Sequence, residues 1–241
     1  ARFEPMITGF NPADMYAADH IRRVLQTYPG VFTGIGEFSI HKEFVSAKVS
    51  GDVASLIDPA LDRIFEFTAE SGLISILHTD IHMPFVKPEF RRLYFDQALD
   101  LFRRHPNTTI IWAHTGLGRV VQPVAEHLAM LEEILADPAL KHVYFDISWD
   151  EVAKYVVATP DATRLTAALI EKYPDRLLMG SDNVALTKPE AVFAVFNNYQ
   201  PLWDALSPQA SRAVRKDNSA RLFDAAAERV RAWEKANPAT P

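Results

Sequence analysis

The sequence predicts an α/β fold built on a parallel sheet, and three observations carry that expectation. Six short apolar runs recur at intervals of roughly 30 to 40 residues with helical patterns between them, as βα units require. The central run, Ile110-Ile111-Trp112-Ala113, is apolar without interruption and bounded by polar residues, which fits a strand buried on both faces. Four of the runs end in a metal-binding residue type, and parallel α/β proteins gather their chemistry at the carboxyl ends of strands. A run of similar units favours a barrel over an open sheet. The expected fold class is therefore a TIM-like (β/α) barrel with C-terminal helices, a single domain over residues 1–241.

Strands are expected at Phe3–Phe10, Val31–Phe38, Leu73–Thr79, Thr109–Thr115, His142–Ser148 and Leu177–Asn183. Asn11-Pro12, Asp58-Pro59, Thr159-Pro160 and Ser207-Pro208 each put a capping side chain before a proline at the first helical position. After Asp58, Leu61, Ile64, Phe65 and Thr68 fall on one helical face, and Gly72 is a natural stop. Further helices are expected over Pro88–His105, Val120–Ala136, Trp149–Ala158, Asp161–Tyr173 and Lys188–Tyr199, with a pair from Ser207 to Ala236. Two longer loops, His41–Ile57 and Asp80–Lys87, lie on the carboxyl side, where loops carry function.

Composition narrows the function classes. The chain is 48% hydrophobic, enough for a sizeable core, and carries a net charge of −6 with both signs interspersed. Without a basic stripe, no nucleic-acid partner is expected. The absence of cysteine rules out disulfides, thiolate ligands and a cysteine nucleophile. No run approaches the roughly 18 apolar residues of a membrane span, and the first residues show no signal-peptide pattern. A soluble chain without a membrane partner is expected, with the cytoplasm favoured over export.

The strand ends carry the chemistry. Val31–Phe38 delivers Glu37, Leu73–Thr79 delivers His78, the central strand delivers His114, and Leu177–Asn183 delivers Asp182. Parallel neighbouring strands raise all four from one rim. Imidazoles and carboxylates suit zinc, with manganese or iron(II) as alternatives. A divalent ion there lowers the pKa of a water toward ~7. A lone histidine at a strand end is usually structural, but four such residues at four ends are not so easily dismissed. His20, His105 and His127 lie on helices or at a helix end and are expected to face solvent. His142 opens its strand at the amino end, and Asp146 points either into the site or into a neighbouring turn.

These residues resemble the amidohydrolase superfamily, in the branch that holds simple metal-dependent hydrolases and the aminocarboxymuconate-semialdehyde and resorcylate decarboxylases. The resemblance rests on Gly-Ile-Gly-Glu at 34–37, Ile-Leu-His at 76–78, Trp-Ala-His-Thr-Gly at 112–116, Met-Gly-Ser-Asp at 179–182 and the Asn218-Ser-Ala-Arg-Leu-Phe223 helix start. It implies that His78 is the metal ligand after barrel strand five. It makes His114 the strand-six histidine, a ligand in some members and an acid/base in others. Asp182 becomes the strand-eight aspartate, ligand and proton acceptor, and Glu37 takes the strand-four position, where some members place a bridging carboxylate. The family also opens with His-x-His on strand one, and this sequence has no such pair. Counted back from strand eight, Phe3–Phe10 is strand three, so the barrel is expected to be incomplete, with about six of eight βα units. The chain is then either a fragment of a longer protein or a degenerate barrel that closes differently.

On the substrate side, Arg119 is a candidate carboxylate clamp, with a surface ion pair as its bland alternative. His41 is placed to reach the pocket, Asp80 and His82 to stand behind His78 or line the mouth, and Trp149 and Asn183 to wall the pocket. The favoured activity is a metal-dependent hydrolase using a metal-activated water on an ester, lactone or amide of a small molecule, with His114 and Asp182 catalytic. The alternatives are a non-oxidative decarboxylase of an aromatic or dienoic acid, and a non-catalytic barrel that binds a ligand or partner. Exposed sheet edges favour a homo-oligomer.

Overall fold

All six expected strands form in the computed structural model, and they pair in sequence order as one parallel sheet. The structure describes residues 3–42, 55–88, 91–183, 188 and 190–239, so most of the loop after the second strand lies outside the described residues. The strands are β1 (Met6–Ile7), β2 (Gly34–Ser39), β3 (Ile74–His78), β4 (Ile110–Trp112), β5 (Val143–Asp146) and β6 (Leu177–Leu178). Among the described residues β1 and β6 do not pair, so the sheet is an open arc, an incomplete barrel.

The helices between the strands are α1 (Ala17–Thr27), α2 (Pro59–Ser71), α3 (Leu93–Arg104), α4 (His127–Ala136), α5 (Asp150–Val156) and α6 (Pro160–Lys172). Four more follow: α7 (Ala191–Asn198), α8 (Gln200–Ala205), α9 (Pro208–Arg212) and α10 (Asn218–Ala236). Three expected caps form: Asp58, Thr159 and Ser207 accept from the backbone N–H of Ala60, Ala162 and Ala210. Gly72 ends α2 in the left-handed conformation, φ 79°. Asn11 accepts from Ala13 N in a turn, and α1 begins later, at Ala17. The helix expected from Val120 starts only at His127. Gly118 N–H donates to Val121 O, and the stretch through Pro123 runs non-helically across the surface.

The two faces of the arc bury different partners. On the outer face Trp112 is fully buried among Phe95, Phe102 and Phe145, and its indole N–H donates to Thr79 O at 2.7 Å. Burial of a side chain this size stabilises by about 2–3 kcal/mol. On the inner face Ile74, Ile111 and Leu178 pack against Leu222 and Ala226 of α10, with Ile76, Tyr144 and Phe223 beside them. Helix α10 is anchored at its start by Asn218, whose amide donates to Pro174 O and Leu177 O. Near its other end Arg231 donates to Phe32 O, Glu234 accepts from Gly30 N, and Trp233 donates to Glu70. One helix therefore reaches from the last strand to the chain leading into β2, across the face of the sheet that carries Ile74, Ile111 and Leu178.

Two histidines correct the sequence reading. His105 and His127 are buried, not solvent-facing. His105 Nε2 lies 2.6 Å from Asp62, and His127 Nε2 donates to Thr115 O at 3.1 Å. Each ring finds a polar partner, 43 and 12 residues away in sequence, which offsets the cost of burial. Among the described residues no helix is long and apolar enough to cross a membrane.

Candidate metal centre

Pairing register brings the strand ends together. Ser39 lies opposite His78 and Leu77 opposite Trp112, so the residues at or just beyond each strand end meet at one rim. Gly36 lets β2 approach β3, because a Cβ there would sit 2.3 Å from Ile76 O, and its φ is +108°. Glu37 Oε1 is then 3.2 Å from His78 Nδ1, and Glu37 Oε2 is 3.2 Å from His114 Nε2. One ligating atom from each of Glu37, His78 and His114 lies within 4.8 Å of the others. Asp182 Oδ2 stands 3.6 Å from His114 Nε2, so the fourth expected residue flanks the three-residue cluster on its His114 side.

The donor set fits a divalent ion. Ligands at about 2.0–2.1 Å from a tetrahedral zinc are about 3.3 Å apart, close to the separations found here. Both ring nitrogens of His78 are buried without hydrogen bonds among the described residues, a costly state for an imidazole unless an ion engages it. The other partners orient the ligands. Ser148 Oγ donates to Asp146 Oδ1 at 2.5 Å and lies 3.0 Å from His114 Nδ1. With the serine proton directed at Asp146, Nδ1–H of His114 is the donor to Ser148, and Nε2 is left to face Glu37 and Asp182. Asp80 Oδ1 stands 3.6 Å behind His78 Nε2. Such second partners fix the tautomer and orientation of ligating histidines.

Charge is balanced tightly. Burial pushes Glu37 up, but the His114 and His78 imidazoles, each 3.2 Å from one of its oxygens, outweigh it and hold its carboxyl far below the usual range. Burial disfavours the charged form of His114, but Asp146 and Glu37 overcome it and raise the imidazole to about 10. Burial also raises Asp182, which Glu37 reinforces against the opposing pull of His114 and Lys42. Lys42 Nζ makes a 2.7 Å ion pair with Glu37 Oε1.

The remaining candidates take distinct places. The Trp149 ring lies tilted against the His114 ring with centroids 5.2 Å apart, and the Trp149 carbonyl accepts from Tyr199 at 2.8 Å. Arg119 and Lys42 both lie over the Trp149 ring, at 4.9 and 5.7 Å. Arg119 is mostly exposed and 3.7 Å from Glu151, so the surface ion pair of the bland reading is present too. A cavity of about 600 Å³ beside the centre is lined by Lys42, Arg119, Trp149, Asp182 and Asn183. Asn183 also donates to Ala191 O. His41 stacks on Tyr94 at 4.0 Å, and burial lowers its pKa. His82 bonds Gln122 O and does not join the cluster. Positive φ angles occur at His41, His114, Trp149 and Asp182, four of the candidates, and such strained backbone collects at functional sites.

Sequence reasoning missed Ser148 and Lys42 and left Asp146 open. Asp146 accepts from His114 N and Ser148 N, so it faces the site. The signal was the Asp-Ile-Ser spacing at a strand end, which puts a carboxylate and a hydroxyl on one side.

The amidohydrolase family model matches residues 10–225. Among solved structures, an amidohydrolase from Burkholderia multivorans with bound zinc aligns at 17% identity and TM-score 0.58, over 91% of this chain and 73% of that one. A dihydroorotase from Campylobacter jejuni aligns at 12% identity and TM-score 0.54, over 91% of this chain and 65% of that one. 5-Carboxyvanillate decarboxylase from Sphingomonas paucimobilis aligns at 18% identity and TM-score 0.53, over 92% and 67%. At these identities the likeness is one of fold. The chain thus spans 65% of the dihydroorotase's length and 67% of the decarboxylase's. No curated protein matches significantly.

Proposed function

The chain belongs to the amidohydrolase family, and from that premise we propose that it is a metal-dependent hydrolase of a small-molecule ester, lactone or amide. The observation that carries this reading is the Glu37–His78–His114 cluster, with the unsatisfied His78 ring at its heart. Those three residues, with Asp182, would hold the ion, and zinc suits their donor set best. When bound, the ion supplies Lewis acidity and a water acidic enough to react near neutral pH. Asp182, its carboxyl raised by burial, would be the group that accepts a proton from an attacking water. His114 Nε2, with the ring oriented by Ser148 and Asp146, would either ligate the ion or, where Glu37, His78 and Asp182 hold it, polarise the scissile carbonyl or protonate the leaving group. Trp149 walls the adjoining cavity, and Arg119 and Lys42 give its mouth a positive edge.

That positive edge also supports a second reading, a non-oxidative decarboxylase. Two cations flanking an indole suit a planar carboxylate.

The test is elemental analysis of protein purified without chelator, beside Asp182→Ala and His114→Ala. About one equivalent of zinc, manganese or iron, lost in His114→Ala, supports the centre. Turnover of lactones or esters without release of carbon dioxide supports the hydrolase, and carbon dioxide from an aromatic acid supports the decarboxylase. Activity retained in the doubly substituted chain overturns both.

A further inference from the structure

A second cavity lies on the other side of the sheet, away from the metal centre. It has a volume of about 190 Å³ and opens between α4, α5 and α6. Leu128, Leu131, Val156, Leu165 and Leu169 contribute to a largely aliphatic wall, and no residue lining it carries a formal charge at neutral pH. It is bordered by Pro123, Val124 and Ala125, in the stretch that runs non-helically before α4. Where a helix from Val120 would have packed its first two turns, the chain leaves space.

The few polar groups in the wall decide what that space can take. Thr115 Oγ1 donates to His114 O, Tyr155 donates to Gly118 O, and His127 Nε2 donates to Thr115 O. Since that bond places the proton of a neutral His127 on Nε2, its Nδ1 is a bare acceptor. Burial keeps the ring neutral by lowering its pKa to about 4. Among the described residues, the Thr166 hydroxyl and His127 Nδ1 are the lining groups that remain to be engaged. A charged ligand would be desolvated there without a counter-charge, which is prohibitive. A dry apolar cavity of roughly 150 Å³ is large enough to bind benzene, so this one has room for a single ring bearing one small polar substituent.

We propose that this cavity is a binding site for an uncharged monocyclic phenol, its ring among the leucines and its hydroxyl on His127 or Thr166. The site stands apart from the metal centre, yet its wall includes Thr115, the residue after His114. Occupancy therefore abuts the turn in which His114 and Thr115 both hold left-handed backbone, φ 56° and 52°.

Phenol, benzene and benzoate are titrated by calorimetry into the wild-type protein and into Leu165→Trp and Ala162→Phe, two variants that add bulk to residues lining the cavity. Leu165 is 48% exposed, so the first variant leaves the core intact. The expected result is one phenol site per chain, at least tenfold weaker benzene and no benzoate. Phenol affinity should fall at least tenfold in both variants while metal content stays at the wild-type level. Phenol binding unchanged in both variants places it elsewhere and overturns the proposal, as does absence of phenol binding to the wild type. Loss of metal from the wild-type protein would count against the hydrolase reading alone.

Discussion

His114 Nε2 and Glu37 Oε2 lie 3.2 Å apart, although 77 residues separate them in the chain. Nothing local brings them together. Strand β3 stands between β2 and β4, and its register fixes both neighbours. The candidate centre is thus a product of parallel pairing, and its quality depends on residues that never touch an ion.

Ser148 is the first of these. It links His114 Nδ1 to Asp146. Ser148→Ala is expected to weaken zinc binding about 10- to 100-fold, the usual effect of removing a partner that orients a ligating histidine. Chelator competition measures it. A change under about twofold would show that Asp146 alone orients the ring.

Gly36 is the second. An alanine there would meet Ile76 O at 2.3 Å and would have to hold φ +108°. Gly36→Ala is expected to cost more than about 3 kcal/mol, because steric overlap and a disfavoured backbone add. Gly9→Ala, where a Cβ meets nothing within 4 Å, is the control. Equal urea midpoints for the two variants would refute the close approach of β2 to β3.

His127 sets a pH dependence. Its folded-state pKa is about 4, lowered chiefly by burial, against 6.5 for the free side chain. The unfolded chain therefore takes up this proton first, so stability is undiminished above pH 6.5 and falls as the pH drops toward 4. The full loss is about 3 kcal/mol. His127→Gln should flatten that slope, which urea titrations at pH 7 and pH 4.5 would reveal. An unchanged slope would mean that the proton enters elsewhere.

Asn218 carries the fourth prediction. Its amide serves two carbonyls, Pro174 O and Leu177 O, at 2.8 Å each. Asn218→Ala leaves both without that donor and should destabilise by about 2–4 kcal/mol. Thermal unfolding gives the answer, and a loss below about 0.5 kcal/mol would mean that water replaces the amide.

Much of this was legible in the residues. Apolar runs and their spacing give all six strands and their order, most plainly at β4, where Ile110, Ile111 and Trp112 are all buried and read as an unbroken hydrophobic stretch. Proline after Asp58, Thr159 and Ser207 marks three helix starts because one side chain and one ring fix the local geometry. The failures share a cause. His105 and His127 look like surface residues until Asp62 and Thr115 O are seen beside them. The Lys42–Glu37 ion pair and the Ser148 bridge are likewise contacts whose geometry no periodicity encodes. The segment from Val120 reads as helix by composition, yet its early proline and its bond to Gly118 hold it open.

Helix α10 has a bearing on how the chain reaches this state. Its bonds to Gly30 and Phe32, and that of Asn237 just beyond its end to Gln26, span 204, 199 and 211 residues. Contacts so distant in sequence close large loops, and their entropic cost is met late, after shorter-range structure has formed. During synthesis β1 to β6 emerge before residues 218–236, so the sheet's inner apolar face waits bare until its cover is made. Over that interval the apolar residues that Leu222 and Ala226 later cover are open to other contacts.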